Sequence, residues 1–336
     1  MEFFKGIGAL LLTLAGFSIF TMKCPKGDKA MGGLADAAVA TFLVEAIFKY
    51  ICGDFAGVAF LGEVGAASGG MGAVASCALV AISMGTTPMF ALAAAAACAG
   101  FGILPGFIAA YILHFLLKKT VRYLPAGLDV IIGALAAAVI ARGICIYTEP
   151  AVNAVIGIVG SSIAVATEQS PLMMGLVLGG LMKPICTSPL SSMALTAMLG
   201  LTGLPMGIAA VACFGGSFTN ALVFKNLKLG DNGCVVAVML EPLTQADIIT
   251  KNPIPIYGCN FVGGALSGAV AALLGIVNNA PGTASPIPGL LAPFAFNPPL
   301  KVVLAMALAA VGGTLAGIVG SFIFRKLGYG NEVVPE

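Results

Sequence analysis

The sequence predicts an all-α polytopic membrane protein, and its composition and segment lengths both support that fold class. Of 336 residues, 59% are hydrophobic and only 9% are charged, whereas soluble chains are about 25% charged. Apolar stretches recur along the chain, and several are interrupted by prolines and polar side chains. We predict about nine or ten membrane segments with two or three re-entrant hairpins and no soluble domain.

A charged pair marks the second apolar segment, from Ala30 to Ile51. Glu45 and Lys49 are four residues apart and therefore lie on one face of a helix. Because charged groups at membrane depth avoid lipid, we expect this face to line a protein interface or a cavity.

Glu149-Pro150 is predicted to begin the second half of the chain. A proline that follows an acidic residue is typical of the first position of a helix. We expect one span from Leu124 to Ile146 to end before this point, so that the chain divides into residues 1–148 and 149–336.

Two short runs beyond residue 170 interrupt apolar segments with prolines and polar side chains. They are Lys183-Pro-Ile-Cys-Thr-Ser-Pro189 and Glu241-Pro-Leu-Thr-Gln-Ala-Asp247. Broken segments persist at membrane depth only where protein or a water-filled cavity surrounds them, and paired interruptions point to a transport site. Ordinary loops between helices are the alternative for both runs.

The candidate solute-binding residues carry charged, amide or hydroxyl groups that can bond a polar solute. We expect Glu241 to stand at the tip of a re-entrant hairpin, facing a polar cavity. A third, proline-rich insertion at residues 279–299 is expected to pack against protein. The full candidate set is Lys183, Thr187, Ser188, Glu241, Gln245, Asp247 and Asn260.

The composition argues against several other classes of function. Nine cysteines are scattered singly, which is typical of small buried hydrophobes rather than disulfides or metal ligands. The single histidine, His114, is expected to be an interfacial or packing residue. We predict no catalytic residue, metal or cofactor, and a net charge of +2 argues against a nucleic-acid partner.

Basic residues cluster in short stretches that predict the orientation of the chain in the bilayer. These stretches are residues 118–122, residues 225–228 and Arg325-Lys326. Cytoplasmic loops carry an excess of lysine and arginine, so we expect all three on the cytoplasmic side.

Between Gly102 and Pro299 the order of features resembles the membrane-embedded IIC component of bacterial phosphotransferase systems. The similarity is greatest to the fructose-type branch and to the stand-alone group that includes PfoR, the perfringolysin regulators. The fructose-type pattern has a run close to G-I-T-E-G-A-I-P-F, then D-P, then V-I-P before a glycine-rich helix. Here Glu241 falls on the glutamate, and Pro253-Ile-Pro255 precedes Gly263-Gly264.

Two further segments correspond, with departures. Thr187-Ser-Pro189 stands where the family has a Gly-Gly-Pro-x-N type turn, and Ala280-Pro281-Gly282 stands where it has A-P-H-G-G, without the histidine. Met239-Leu240 replaces the Gly-Ile that precedes the family's glutamate, and a proline follows Glu241.

The resemblance implies a permease of the bacterial inner (plasma) membrane for a small hydroxylated solute, a sugar or sugar-like compound. It implies a homodimer in which residues 1–148 are the scaffold and residues 149–336 are a transport half that moves as a rigid body. Glu241 would contact sugar hydroxyls, and any phosphorylation would need separate IIA and IIB proteins. The charged pair and the Ala-rich surfaces lead us to expect the dimer contacts before Glu149.

Two other functions stay open on the sequence alone. One is a membrane-embedded sensor or regulator of the PfoR type that keeps the fold. The other is an ion-coupled or facilitative carrier of an organic acid, in which Lys183 and Arg142 would be the anion partners.

Overall fold

The computed structural model describes residues 2–120, 128–188 and 192–330, and the regular elements of these residues are all helical. The predicted all-α class is therefore confirmed. The helices, in chain order, are α1 (Glu2–Lys23), α2 (Gly27–Ala38), π-helical turns at Val39–Leu43 and Ala46–Phe55, α3 (Ala59–Gly69), α4 (Gly72–Ser83), α5 (Pro88–Ala97), α6 (Ile103–Thr120), α7 (Leu128–Gln169), α8 (Pro171–Cys186), α9 (Ser192–Met198), α10 (Gly203–Leu227), α11 (Asn232–Leu240), a 3-10 turn at Pro242–Gln245, α12 (Ala246–Lys251), α13 (Pro253–Leu273), α14 (Pro286–Leu291), a 3-10 turn at Ala292–Ala295, and α15 (Pro299–Lys326).

Within these described ranges, six helices are long and apolar enough to cross a membrane. A seventh span results if α3 and α4, which are bent by 53° at their junction, are counted together. The number is below the nine or ten predicted, because α5, α6 and α8 are shorter apolar helices and two expected segments form one helix. The six are Phe4–Lys23, Gly27–Asp54, Val130–Gln169, Gly203–Leu227, Pro253–Leu273 and Pro299–Lys326.

Helix α7 corrects the expected helix start at Glu149-Pro150. It runs without interruption for 42 residues, with Pro150 inside it. A proline removes only its own backbone donor, and membrane helices tolerate it where nearby groups satisfy the backbone. The proposed boundary between residues 1–148 and 149–336 therefore falls within one continuous helix.

The predicted charged pair in the first half lies against a neighbouring helix. Lys49 Nζ is 3.1 Å from Glu45 Oε1. Helix α3 packs on this face through glycines: a Cβ added at Gly65 would come within 2.8 Å of Lys49 Cβ, and one at Gly69 would meet the Glu45 carboxylate. Of the two expected arrangements, a protein interface or a cavity, the structure shows a contact with a helix of the same chain.

Helices α8, α10, α13 and α15 pack together in the second half, and glycines set the contact between α8 and α13. A Cβ at Gly175 would lie 2.7 Å from the Gly268 carbonyl oxygen, and Gly179 faces Gly264 in the same way. Small residues let membrane helices approach until their backbones touch. Gly264 and Gly268, four residues apart on α13, therefore form this α8–α13 contact, which we call the glycine seam.

The insertion at residues 279–299 packs against protein on two sides, as predicted. Towards α10, a Cβ at Gly289 would meet the backbone of Ala210. Towards the π-helical turns, the Phe296 and Tyr50 ring centroids are 5.6 Å apart, and Gly282 lies against the Phe42 ring. The insertion therefore links the two halves of the molecule.

Candidate functional site

Three irregular segments meet in the second half of the chain. The hydroxyl of Ser192, at the start of α9, donates to the carbonyl of Ala284 in the insertion. The next residue, Ser285, donates from its hydroxyl to Glu241 Oε2 at 3.3 Å. The insertion thus joins the second run to the start of α9, which follows the first run.

Glu241 stands at a break between two helices. Helix α11 ends after nine residues, and Glu241 has an extended backbone with φ −144° and ψ 97°. The following Pro242 explains this end, because the residue before a proline disfavours the helical conformation. Glu241 Oε1 accepts a hydrogen bond from the Leu243 backbone N–H at 3.4 Å. Each carboxylate oxygen keeps acceptor capacity for a further partner.

The carboxyl group of Glu241 lies in a largely buried position. Burial raises the pKa of the Glu241 carboxyl above its ordinary value. The hydrogen bonds from Leu243 and Ser285 and the nearby charge of Lys183 act on this pKa in the opposite direction. The carboxylate is therefore costly to ionise until a ligand supplies further donors.

Lys183 is fully buried in the last turn of α8. Its Nζ donates to the Cys213 carbonyl at 3.4 Å, and it forms no direct ion pair with Glu241. Its stem crosses two glycines: a Cβ at Gly216 would lie 2.6 Å from Lys183 Cδ, and one at Gly264 would lie 2.6 Å from Lys183 Cβ. These glycines leave the space that the long side chain occupies.

One helical turn from Lys183, three helices contribute a layer of polar side chains, which we call the amide layer: Thr187, Asn220 and Asn260. Asn260 Nδ2 donates to Thr187 Oγ1 at 3.2 Å. Thr187 in turn donates to the Pro184 carbonyl at 2.8 Å. Asn220 follows Gly216 by four residues and Asn260 precedes Gly264 by four, so both lie one turn from the Lys183 stem.

The amide layer holds buried polar atoms without partners. Asn260 Oδ1 and both Oδ1 and Nδ2 of Asn220 have no hydrogen bond, and both side chains are fully buried. An unsatisfied buried polar group costs about 1–3 kcal/mol, so a ligand or water that bonds these atoms would recover that free energy.

Of the seven predicted site residues, Thr187 and Asn260 are hydrogen-bonded to each other, one turn from Lys183. Glu241 is linked to this group through the nearby charge of Lys183. Gln245 instead makes a local contact from its Nε2 to Thr244 Oγ1 at 3.4 Å. Ser188 bonds the Ile185 carbonyl at 2.9 Å within its own turn. The side chain of Asp247 lies outside the described residues.

Sequence reasoning missed Asn220, Ser192 and Ser285. Asn220 could have been found, because an amide in the interior of the membrane-length helix 203–227 is itself a sign of a polar function. Nothing in the local sequence of Ser285 distinguishes it from other loop serines. The first run does not end its helix at once, since α8 continues through Lys183 and Pro184 to Cys186.

A set of membrane-length helices around buried polar residues, with interrupted segments converging on them, defines a multi-pass membrane transport protein. Residues 28–333 match the family described as "Phosphotransferase system, EIIC", and the chain belongs to this family of membrane sugar-transport components. The match extends well beyond the segment from Gly102 to Pro299 that carries the motifs. No curated protein and no solved structure matches the chain.

Proposed function

We propose that the chain translocates a small hydroxylated solute, a sugar or sugar-like compound, bound between Glu241 and the amide layer. The unpaired amide atoms of Asn220 and Asn260 carry this proposal. An amide both donates and accepts, as a sugar hydroxyl does, and a carboxylate accepts from two hydroxyls at once. Together these groups complement a polyol better than an apolar ligand.

We propose an elevator-type movement for the translocation step, with residues 149–336 as the moving half. The glycine seam supports this, because backbones in direct contact hold α8 and α13 together as one unit. The contacts of Phe42 and Tyr50 with the insertion then form a surface between the moving half and the scaffold, residues 1–148.

We also propose that the protein is a homodimer in the bacterial plasma membrane, assembled through residues before Glu149. Cross-linking single cysteines on α1 and α5 in membranes should trap a dimer, whereas cysteines placed on α15 should not. Cross-linking through α15 alone would contradict this arrangement.

The proposed partners are separate IIA and IIB proteins of the fructose-type branch. They would supply the phosphoryl group, since none of the proposed site residues is a histidine or cysteine that could accept one. The alternative within the stand-alone PfoR-like group is a sensor that binds solute without transporting it. Uptake of solute into proteoliposomes that contain the protein alone separates transport from sensing.

An organic acid carrier is a second candidate, and the burial of Lys183 favours it. A fully buried ammonium group with one long hydrogen bond is suited to an anionic partner. Arg142 does not contribute, because its Nη1 donates to the carbonyls of Ala97 and Ala99 at 3.0 and 3.1 Å in the first half.

The test is a binding screen of the purified full-length protein against sugars, polyols and carboxylates, read as a rise in the unfolding midpoint. We expect a sugar or polyol to stabilise the wild type and Asn220→Leu to remove that shift. A shift by carboxylates alone that Lys183→Met removes would establish the second candidate instead. No shift with any sugar or polyol would contradict the proposed function.

A further inference from the structure

A basic cavity of about 540 Å³ lies in the first half of the molecule, outside the solute site. Two connections between helices and the end of a third helix surround it. Lys26 stands between α1 and α2, Thr86 and Thr87 lie between α4 and α5, and His114 and Lys118 lie near the end of α6. None of the described residues that line it carries a carboxylate.

His114 accepts a hydrogen bond at one ring nitrogen and donates one from the other. Lys26 Nζ is 2.9 Å from His114 Nε2, and His114 Nδ1 is 2.8 Å from Thr86 Oγ1. An ammonium group can only donate, so Nε2 accepts and the imidazole proton is on Nδ1. Nδ1–H therefore donates to Thr86 Oγ1. His114, expected to be an interfacial or packing residue, is instead the centre of a polar chain.

The hydrogen bonds of His114 leave donors on Thr86 and Lys26 for a ligand. Thr86 Oγ1 accepts a hydrogen bond from His114 Nδ1–H, so the O–H of Thr86 remains free to donate. Lys26 uses two donors, on His114 and on the Met84 carbonyl, and has a third. Lys118 adds a second ammonium group, and Thr87 precedes the N-terminus of α5, where the helix dipole is positive.

We propose that this cavity binds a phosphate group, either as free phosphate or a phosphomonoester, or as the headgroup of an anionic lipid. The ionised oxygens of a phosphate group only accept hydrogen bonds, and lysine ammonium groups bind them as point charges. The donors and the two cations supply what such a ligand requires. Phe90 and Leu117 also line the cavity and offer an apolar surface to the carbon part of a phosphate ester. The inference does not depend on the solute site.

The experiment measures equilibrium binding of labelled inorganic phosphate to the full-length protein in neutral detergent at constant ionic strength. The variants are Lys118→Gln and Thr86→Val, because Lys26 also holds the Met84 carbonyl and its loss could unfold the protein. Lys225→Gln, an exposed lysine at the end of α10, is the matched control. A second arm compares retention of phosphatidylglycerol by the same proteins after extraction from vesicles of phosphatidylcholine and phosphatidylglycerol.

We expect affinity to fall about tenfold in each cavity variant, as the loss of one charge-assisted hydrogen bond predicts, and to be unchanged in the control. Saturable phosphate binding with this pattern supports a soluble ligand. Failure of phosphate to bind, with lipid retention that only the cavity variants lose, supports a lipid headgroup. The proposal is overturned if neither ligand binds, or if Lys225→Gln loses as much affinity as the cavity variants.

Discussion

Replacing Glu241 by glutamine tests the proposed solute site most directly. Glutamine keeps the size of the side chain and one carbonyl oxygen, and replaces the second oxygen with an amide that cannot accept. In the structure Oε1 accepts from Leu243 N–H at 3.4 Å and Oε2 accepts from Ser285 at 3.3 Å. Both bonds are long, so most of the acceptor capacity of the carboxylate remains for a solute.

The expected loss of affinity follows from the difference between charged and neutral hydrogen bonds. A hydrogen bond to a charged group contributes about 1.5–3 kcal/mol and a neutral one about 0.5–1.5 kcal/mol. Weakening one or two solute bonds by about 1.4 kcal/mol in total lowers affinity about tenfold. Titration calorimetry with the best-bound compound of the screen measures this, and Glu63→Gln, at an exposed carboxylate, is the control.

Stability in the absence of solute gives a second, independent reading of the same variant. Burial raises the pKa of Glu241, so the folded state binds the proton more tightly than the unfolded chain does. Wild-type stability should therefore fall as pH rises from the ordinary range of a glutamate through the raised pKa. Glu241→Gln should lack this fall and be the more stable protein above the raised pKa.

The opposite pair of results would refute the reasoning. If Glu241 only braces the break before Pro242, the glutamine variant would lose stability without solute while its folded fraction bound normally. Unchanged affinity together with a lower unfolding midpoint would therefore remove Glu241 from the site.

Three further changes test other parts of the structure. Asn220→Leu should raise the free energy of unfolding by about 1 kcal/mol or more by removing unpaired amide atoms, while solute no longer shifts the unfolding midpoint; a less stable variant would argue against this. Gly264→Ala should destabilise by about 1–3 kcal/mol through overpacking of the seam, whereas Gly143→Ala, with open space around it, should not; thermal unfolding compares them. Single cysteines at residues 225–228 and 325–326, in a protein without its native cysteines, should be labelled from the same side, because Asn226 bonds Ser321; opposite accessibility would refute this.

The fold class and the interrupted segments could be predicted because their signals are local. Composition identifies the membrane protein, the spacing of Glu45 and Lys49 identifies a shared helix face, and Pro242 marks the break after Glu241. Each of these depends on residues only a few positions apart.

The remaining features depend on contacts between distant residues. Lys26 and His114 are 88 positions apart, and no local pattern indicates that they form a hydrogen bond. The pairing of Ser285 with Glu241 spans 44 positions. The helix start predicted at Pro150 was wrong for another reason. A proline occurs either at a helix start or at a tolerated interior position, and the surrounding packing decides which.

Because α7 is continuous through Pro150, any change in its bend at Pro150 also moves the end of the helix at Gln169. Proline is where long helices bend, and Gln169 lies 19 residues further on, about 28 Å along the axis. A change of about 10° in the bend at Pro150 would displace the far end by about 5 Å, roughly the pitch of one helical turn. Only Ser170 separates that end from α8, the helix that carries Lys183. A small change in the bend of α7 would therefore displace the start of α8 by about the pitch of one helical turn.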